Sequence, residues 1–399
     1  MKGFRVLKLF FVISFTIGSV MLHAQDERAQ FPSVLQNSFF GVDFGYLHYP
    51  FSNKNLVPGY SAQAIKIPGE GVRLTLFGYH FNKNLSARIT YMRPVDWVAY
   101  KNINGDDHKH TVWMNAGEIT AKETVPLFKN FSVYAEAGLA IITRHGFNVD
   151  GNTVLKDASY ATYTIGGGLQ FRMNRKWNFD LYSSYSPGKK DLKQPYTAFV
   201  GTGFTYNLHA LPETVVKENA SSRGFPKETF QFAFTTNAFG YGANHFFGEG
   251  KVPVFWGGNV AVEEGLAVNY RRNVFHTKKT FALDIGASIG SWESKTKDNR
   301  FYAASVYPVM RFNFLRTDLA TVYFLYSVAG PSYNSRTHLD GYDTGKHFTF
   351  RDYMGIGGYF GRNNILNAEV NIGHFSNGNI YPNNAGIKLP LSFTFGYAF

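Results

Sequence analysis

Near the end of the chain a histidine and a serine stand two residues apart, in His374-Phe375-Ser376. Asn377-Gly378-Asn379 follows directly, and Asn383-Asn384-Ala385-Gly386-Ile387 a few residues later. On an extended strand, residues i and i+2 share a face, with Cα atoms about 6.5–7 Å apart. An imidazole can then reach a hydroxyl, which nucleophile activation requires. A strand that ends at a water interface would also carry such a polar pair with no chemistry attached.

The face they occupy matters. Leu366, Ala368, Val370 and Ile372 share the parity of His374 and Ser376, whereas Asn367, Glu369, Asn371 and Asn377 have the opposite parity. The pair therefore continues an apolar stripe. If that stripe faces lipid, the chemistry is directed at a membrane lipid and not at a dissolved solute.

The composition fits such a stripe. The chain has 399 residues, 44% hydrophobic, 17% aromatic and 17% charged, with 39 Phe, 25 Tyr and no Cys. Disorder is excluded by the aromatic content. Disulfide scaffolds, cysteine zinc sites and lipoprotein attachment are excluded by the absence of Cys. Mean hydropathy is −0.20, too polar for a helical membrane protein but suited to strands that are apolar outside and polar inside. The net charge of +12 is scattered, which argues against nucleic acid and leaves an anionic lipid surface open.

Residues 1–24 read as a secretory signal peptide. Lys2, Arg5 and Lys8 form a basic start, Leu9 to Leu22 an apolar run too short to span comfortably, and Ala24 precedes the cleavage point. The mature chain is expected to begin at Gln25.

Beyond it, period-two alternation recurs in segments of about ten residues separated by turn residues. Eight segments centre near Phe44, Leu76, Ile89, Ala116, Leu139, Ile165, Leu181 and Phe204. Residues 209–227, with Pro212, Ser221, Ser222, Gly224 and Pro226 among charges, read as a linker. A second set of eight begins at Phe230-Phe232-Phe234 and ends at Leu389–Phe399. The expected fold is all-β: two tandem eight-stranded transmembrane antiparallel barrels, residues 25–208 and 228–399. One sixteen-stranded barrel is the alternative. The final alternation, closing on Phe399, resembles the terminal strand read by the outer-membrane barrel assembly machinery.

His374-x-Ser376-Asn377 followed by Asn384-x-Gly386-Ile387 resembles the signature of PagL-type lipid A 3-O-deacylases, within the acyloxyacyl hydrolase family. Gly330-Pro331-Ser332, read as a strand end, and Phe348-x-Phe350-x-Asp352 are similar to that family too. The likeness covers about residues 228–399. It implies a single eight-stranded barrel with an outward catalytic pair, in the bacterial outer membrane, acting on lipid A of lipopolysaccharide. It also implies a serine esterase: Ser376 as nucleophile, His374 as general base and then acid, and the Asn384 side chain with a backbone N–H near Gly378-Asn379 as oxyanion donors. No metal or cofactor enters that chemistry.

One departure stands out. Where the best-known enzyme of that family has a glutamate after the Gly-Ile pair, this chain has Lys388, which cannot accept an imidazole N–H. A substitute is available from register. If Phe360 pairs with Leu366 across the turn at 361–364, Asp352 falls opposite His374 on the same face. Asp352 is thus the expected orienting acid; a two-residue slip would place Phe350 there instead.

Asp106, Asp107, His108 and His110 crowd a segment read as a solvated hairpin loop of the first barrel, with metal binding the lesser reading. The rival to the esterase is a non-catalytic barrel, either a pore or a structural protein.

Overall fold

The computed structural model describes residues 28–221, 225–248, 257–296 and 299–399. The expected signal peptide, residues 1–24, lies outside them. No helix among the described residues is long and apolar enough to cross a membrane; the strands form two closed antiparallel sheets.

The first sheet contains β1 (Ser38–His48), β2 (Glu70–His80), β3 (Leu85–Pro94), β4 (Asp106–Phe128), β5 (Phe131–His145), β6 (Ala158–Arg172), β7 (Trp177–Ser186) and β8 (Thr197–Asn207). Each strand pairs with its sequence neighbours, β8 pairs with β1, and the ring closes. Two shorter strands extend the sheet beyond the rim: Val98–Ile103 pairs onto the start of β4, and Ala62–Lys66 pairs onto Val98–Ile103. The second sheet is a closed barrel of β9 (Glu228–Thr236), β10 (Val260–His276), β11 (Phe281–Ser294), β12 (Arg300–Arg316), β13 (Ala320–Asn334), β14 (Phe348–Phe360), β15 (Leu366–Ser376) and β16 (Ile387–Ala398). Among the described residues no ladder joins the two rings, which are two eight-stranded barrels and not one of sixteen.

Alternation explains why these segments become barrel strands. Phe44, Leu139, Ile289, Leu266 and Phe395 stand exposed on the outer faces. Their parity partners turn inward and are charged or polar. Closure leaves no unpaired strand edge, which a hydrocarbon solvent demands.

Both interiors are filled. In the first barrel Arg73 bonds Glu118 and Glu136 at 3.0 Å each, and Arg88 pairs with Glu136. In the second, Arg271 grips Glu369 through two 2.6 Å bonds, and Arg311 grips Asp284 at 2.6 and 2.9 Å. A void of about 10 Å³ beside Arg271, Trp292 and Tyr353 holds at most one water. Such side-chain filling is what barrels of eight strands are expected to have.

Short turns (81–84, 129–130, 173–176, 277–280, 317–319) lie at one end of each barrel and the long connections at the other. In outer-membrane barrels the short turns are periplasmic and the long loops extracellular. Both barrels therefore point the same way, with the 377–386 loop at the outer surface.

Two local readings change, and two helices appear that the sequence reading did not include. Residues 209–227, read as a linker, contain a helix, α1 (Glu213–Ala220). Pro212 precedes it, and its buried Asn219 donates to the Ala29 carbonyl at 3.0 Å. Asp106–His110 opens strand β4 and is not a loop. Gly330-Pro331-Ser332 lies inside β13, just past a bulge, and not at a strand end. A helix after β9, α2 (Gly242–Gly248), lies against the outer wall.

Candidate active site

The pairing of β14 with β15 runs Phe360↔Leu366 to Phe350↔Ser376, and it sets Asp352 opposite His374. His374 Nδ1 lies 3.2 Å from Asp352 Oδ2, and both side chains are almost wholly buried. A carboxylate there accepts the Nδ1 proton and leaves Nε2 as the basic nitrogen. Ser376 is half-buried on the same outward face, opposite Phe350.

The other oxygen of Asp352 is also held. Oδ1 accepts the Ala329 backbone N–H at 2.6 Å. Ala329 has φ 54 and sits in a β-bulge, where the β13–β14 register breaks between Ser327 and Gly330. The bulge frees an amide from the ladder and aims it at the carboxylate. The only foreshadowing in the sequence is Gly330-Pro331 inside a strand, since proline cannot donate to a ladder.

The face is outward, as parity indicates, but it is roofed. Leu366 and Val370 are exposed, while Ile372 and His374 are covered. Ala243 and Phe247 of α2 pack over Met354 and Ile372. Asn244 fixes the helix by donating to the Leu389 carbonyl at 2.8 Å.

On the other flank, His374 faces Lys388 of β16. The Lys388 ammonium lies 5.0 Å from the Tyr241 ring centroid, a cation–π contact. Gly386 passes close by with φ +64; a Cβ there would meet Gly257 O and Gly258 Cα at 3.2 Å and His374 Nε2 at 3.4 Å. This is a place where only glycine fits.

The loop that follows Ser376 is tied to itself. The Asn377 backbone N–H donates to Asn384 Oδ1 at 2.9 Å, and Asn384 Nδ2 donates to Asn379 Oδ1 at 2.8 Å. Asn377 is fully buried, and its Nδ2 donates to the Thr344 and Asn383 carbonyls at 3.1 and 2.6 Å. Gly378 and Asn379 both adopt left-handed backbone, φ +61 and +59. The structure thus brings Asp352, His374 and Ser376 together on β14–β15, and it places Asn377, Gly378, Asn379, Asn384 and Gly386 in one hydrogen-bonded loop above them.

Sequence reasoning missed what holds this loop from outside. Asn115, Thr143 and Ser159 form a register row across β4, β5 and β6 of the first barrel, on its outer face. Asn115 Nδ2 donates to the Asn379 carbonyl at 3.0 Å, and Thr143 Oγ1 to the Ile380 carbonyl at 3.0 Å, with Ser159 Oγ at 3.5 Å. Three polar residues at lipid-facing positions of adjacent strands were the available signal.

Elsewhere, Asp106 accepts from both His108 and His110 at 2.6 Å. The His108 backbone N–H and the two imidazoles hold its carboxyl well below the usual range. The same contact raises the His108 imidazole.

Closed eight-stranded sheets, apolar outside and ion-paired within, define an outer-membrane β-barrel protein of bacteria. The second barrel is matched by the family model for lipid A 3-O-deacylase (PagL) over residues 264–397. The first matches the OmpA-like transmembrane domain over residues 39–187. No curated protein matches the chain. Among solved structures, the N-terminal β-barrel domain of Pseudomonas aeruginosa OprF is similar at 17% identity, over 43% of this chain and 98% of that one, with TM-score 0.30. The outer membrane enzyme PagL is similar at 16% identity, over 43% and 99%, with TM-score 0.31.

Proposed function

We propose that this protein is an outer-membrane esterase that removes an acyl chain from lipid A. The observation that carries the reading is the Asp352–His374 contact on the outer wall of a barrel that matches the deacylase model. Its position supports the reading too, because the loop end of the barrel meets the outer leaflet, where lipopolysaccharide resides.

In this mechanism Ser376 Oγ attacks the ester carbonyl carbon while His374 Nε2 takes its proton. The oxyanion is met by the free N–H of Asn384 Nδ2 and a backbone N–H at Gly378-Asn379. Collapse breaks the carbonyl–oxygen bond to the sugar, and His374 returns its proton to the leaving hydroxyl. Water, deprotonated by His374, then releases the fatty acid from Ser376. Asp352 holds the imidazole ring and stabilises its positive charge. No step calls for a metal or cofactor.

This reading takes residues 1–24 as a removed signal peptide, 25–208 and 228–399 as the two barrel units, and 209–227 as their connection. It takes β16 together with the following Phe399 as the signal for the barrel assembly machinery.

Mass spectrometry of lipid A from cells expressing the wild type should show a species lighter by one acyl chain, absent with Ser376→Ala. Identical lipid A from both would favour the second reading, a structural barrel. That reading draws on Lys388, a cation facing His374 where the family's best-known enzyme has an acid.

A further inference from the structure

The first barrel contributes more than a neighbouring wall. Its Asn115–Thr143–Ser159 row holds the backbone at Asn379 and Ile380. Two residues along β4 and β5 from that row, on the same outer face, Trp113 stacks on His145 at 5.4 Å and 25°. Trp97 lies beside them, with the Arg93 guanidinium 4.5 Å over its ring. Both tryptophans are half-buried. Across from them stand Asn379, Asn383 and Asn384 of the loop, and a cleft of about 450 Å³ lies between.

We propose that this cleft between the barrels binds the sugar headgroup of a phosphorylated glycolipid, with Trp97 and Trp113 as its aromatic wall. Aromatic faces pack against the C–H faces of a pyranose ring, while asparagine amides, each with donors and an acceptor, bond its hydroxyls. The volume falls in the range of small-molecule sites. Arg93, whose guanidinium lies over the Trp97 ring next to the cleft, supplies a cation for a sugar phosphate. Asn384 borders both the cleft and the His374–Ser376 face, so a headgroup held here presents its acyl ester to Ser376 while its chains lie along the barrel wall. The identity of the ligand rests on the deacylase reading; the existence of the site does not.

The test uses the full chain with Ser376→Ala in detergent micelles, so that binding is measured without turnover. The probe is fluorophore-labelled lipid A, read by anisotropy. Trp97→Ala and Trp113→Ala should each raise Kd about tenfold, the size of an aromatic hot spot. Trp113→Phe, which keeps a ring, should raise it less than about threefold. A phospholipid of equal chain length should not compete. Unchanged affinity in a double variant with wild-type circular dichroism, or competition by the phospholipid, would overturn the proposal. Failure of the wild type to deacylate while this binding persists would remove the esterase reading and leave the sugar site standing.

Discussion

Asp352 and His374 face each other across one rung of the β14–β15 ladder, 3.2 Å apart, and Lys388 faces His374 from the other side. The imidazole thus has a carboxylate on one neighbouring strand and an ammonium on the other.

In the proposed esterase mechanism Asp352 is a positioning residue. Asp352→Asn should lower kcat by roughly 10²- to 10⁴-fold with little change in KM, because the amide presents the wrong partner to Nδ1. Activity at wild-type level in that variant would end the assignment.

Residue 388 occupies the opposite rung, so a carboxylate there can take over. In the Asp352→Asn background, Lys388→Glu should recover about tenfold of the lost rate, a non-additive coupling expected of residues sharing one partner. Simple additivity of the two substitutions, measured by steady-state kinetics, would count against the geometry.

Asn384 has both an acceptor and donors in use. Asn384→Asp keeps the acceptor for the Asn377 N–H but removes the donors, and kcat should fall by about 10²- to 10³-fold. The thermal melt should move little. A large loss of stability with intact kcat would assign Asn384 to loop structure alone.

Glu369 is clamped by Arg271 and receives the Tyr323 hydroxyl at 2.7 Å inside the lumen. Glu369→Gln leaves the Arg271 charge buried without its counter-ion and should cost roughly 3–5 kcal/mol. Urea unfolding of the detergent-solubilised protein measures this; a shift below about 1 kcal/mol would mean that the lumen is hydrated and the charge screened.

The Asp106–His108 pair carries a pH signature at the exposed start of β4. The Asp106 carboxyl is lowered, so its contribution is present at neutral pH and is lost as pH falls through the lowered value. The His108 imidazole is raised, so its contribution is complete below the ordinary histidine value and disappears as pH rises through the raised one. Amide exchange across 103–110 should therefore be slowest in mildly acidic solution and quicken on alkalinisation. A pH-independent exchange pattern, corrected for intrinsic rates, would contradict the pairing.

The strands were legible because alternation is imposed by two solvents, lipid and a polar lumen. All sixteen expected segments fall on barrel strands, from Phe44 on β1 to Leu389–Ala398 on β16, which stops one residue short of Phe399. The Asp352–His374 rung was legible for a related reason: a short turn after Phe360 leaves few registers open. The Ala329 bulge, the α2 roof over Ile372 and the Asn115–Thr143–Ser159 row were not read, because each answers a neighbour distant in sequence. Ala329 meets Asp352 across the β13–β14 ladder, and Thr143 meets Ile380 from the other barrel. The accessory strands Ala62–Lys66 and Val98–Ile103 were missed because they lie above the membrane, where nothing enforces a two-sided pattern.

Strand β9 ends at Thr236, shorter than its neighbours, and beyond it β10 and β16 pair directly in parallel through Val260↔Ile387 and Ala261↔Lys388. The Asn259 and Val260 amides donate to the Ala385 and Gly386 carbonyls at 2.7 and 3.1 Å. These bonds bridge the junction where the first and last strands of the barrel meet, the most distant pairing in its sequence and so the slowest to form. The backbone beside His374 Nε2 is therefore set only when the cylinder shuts. In the proposed esterase, the site is complete only once the barrel has closed.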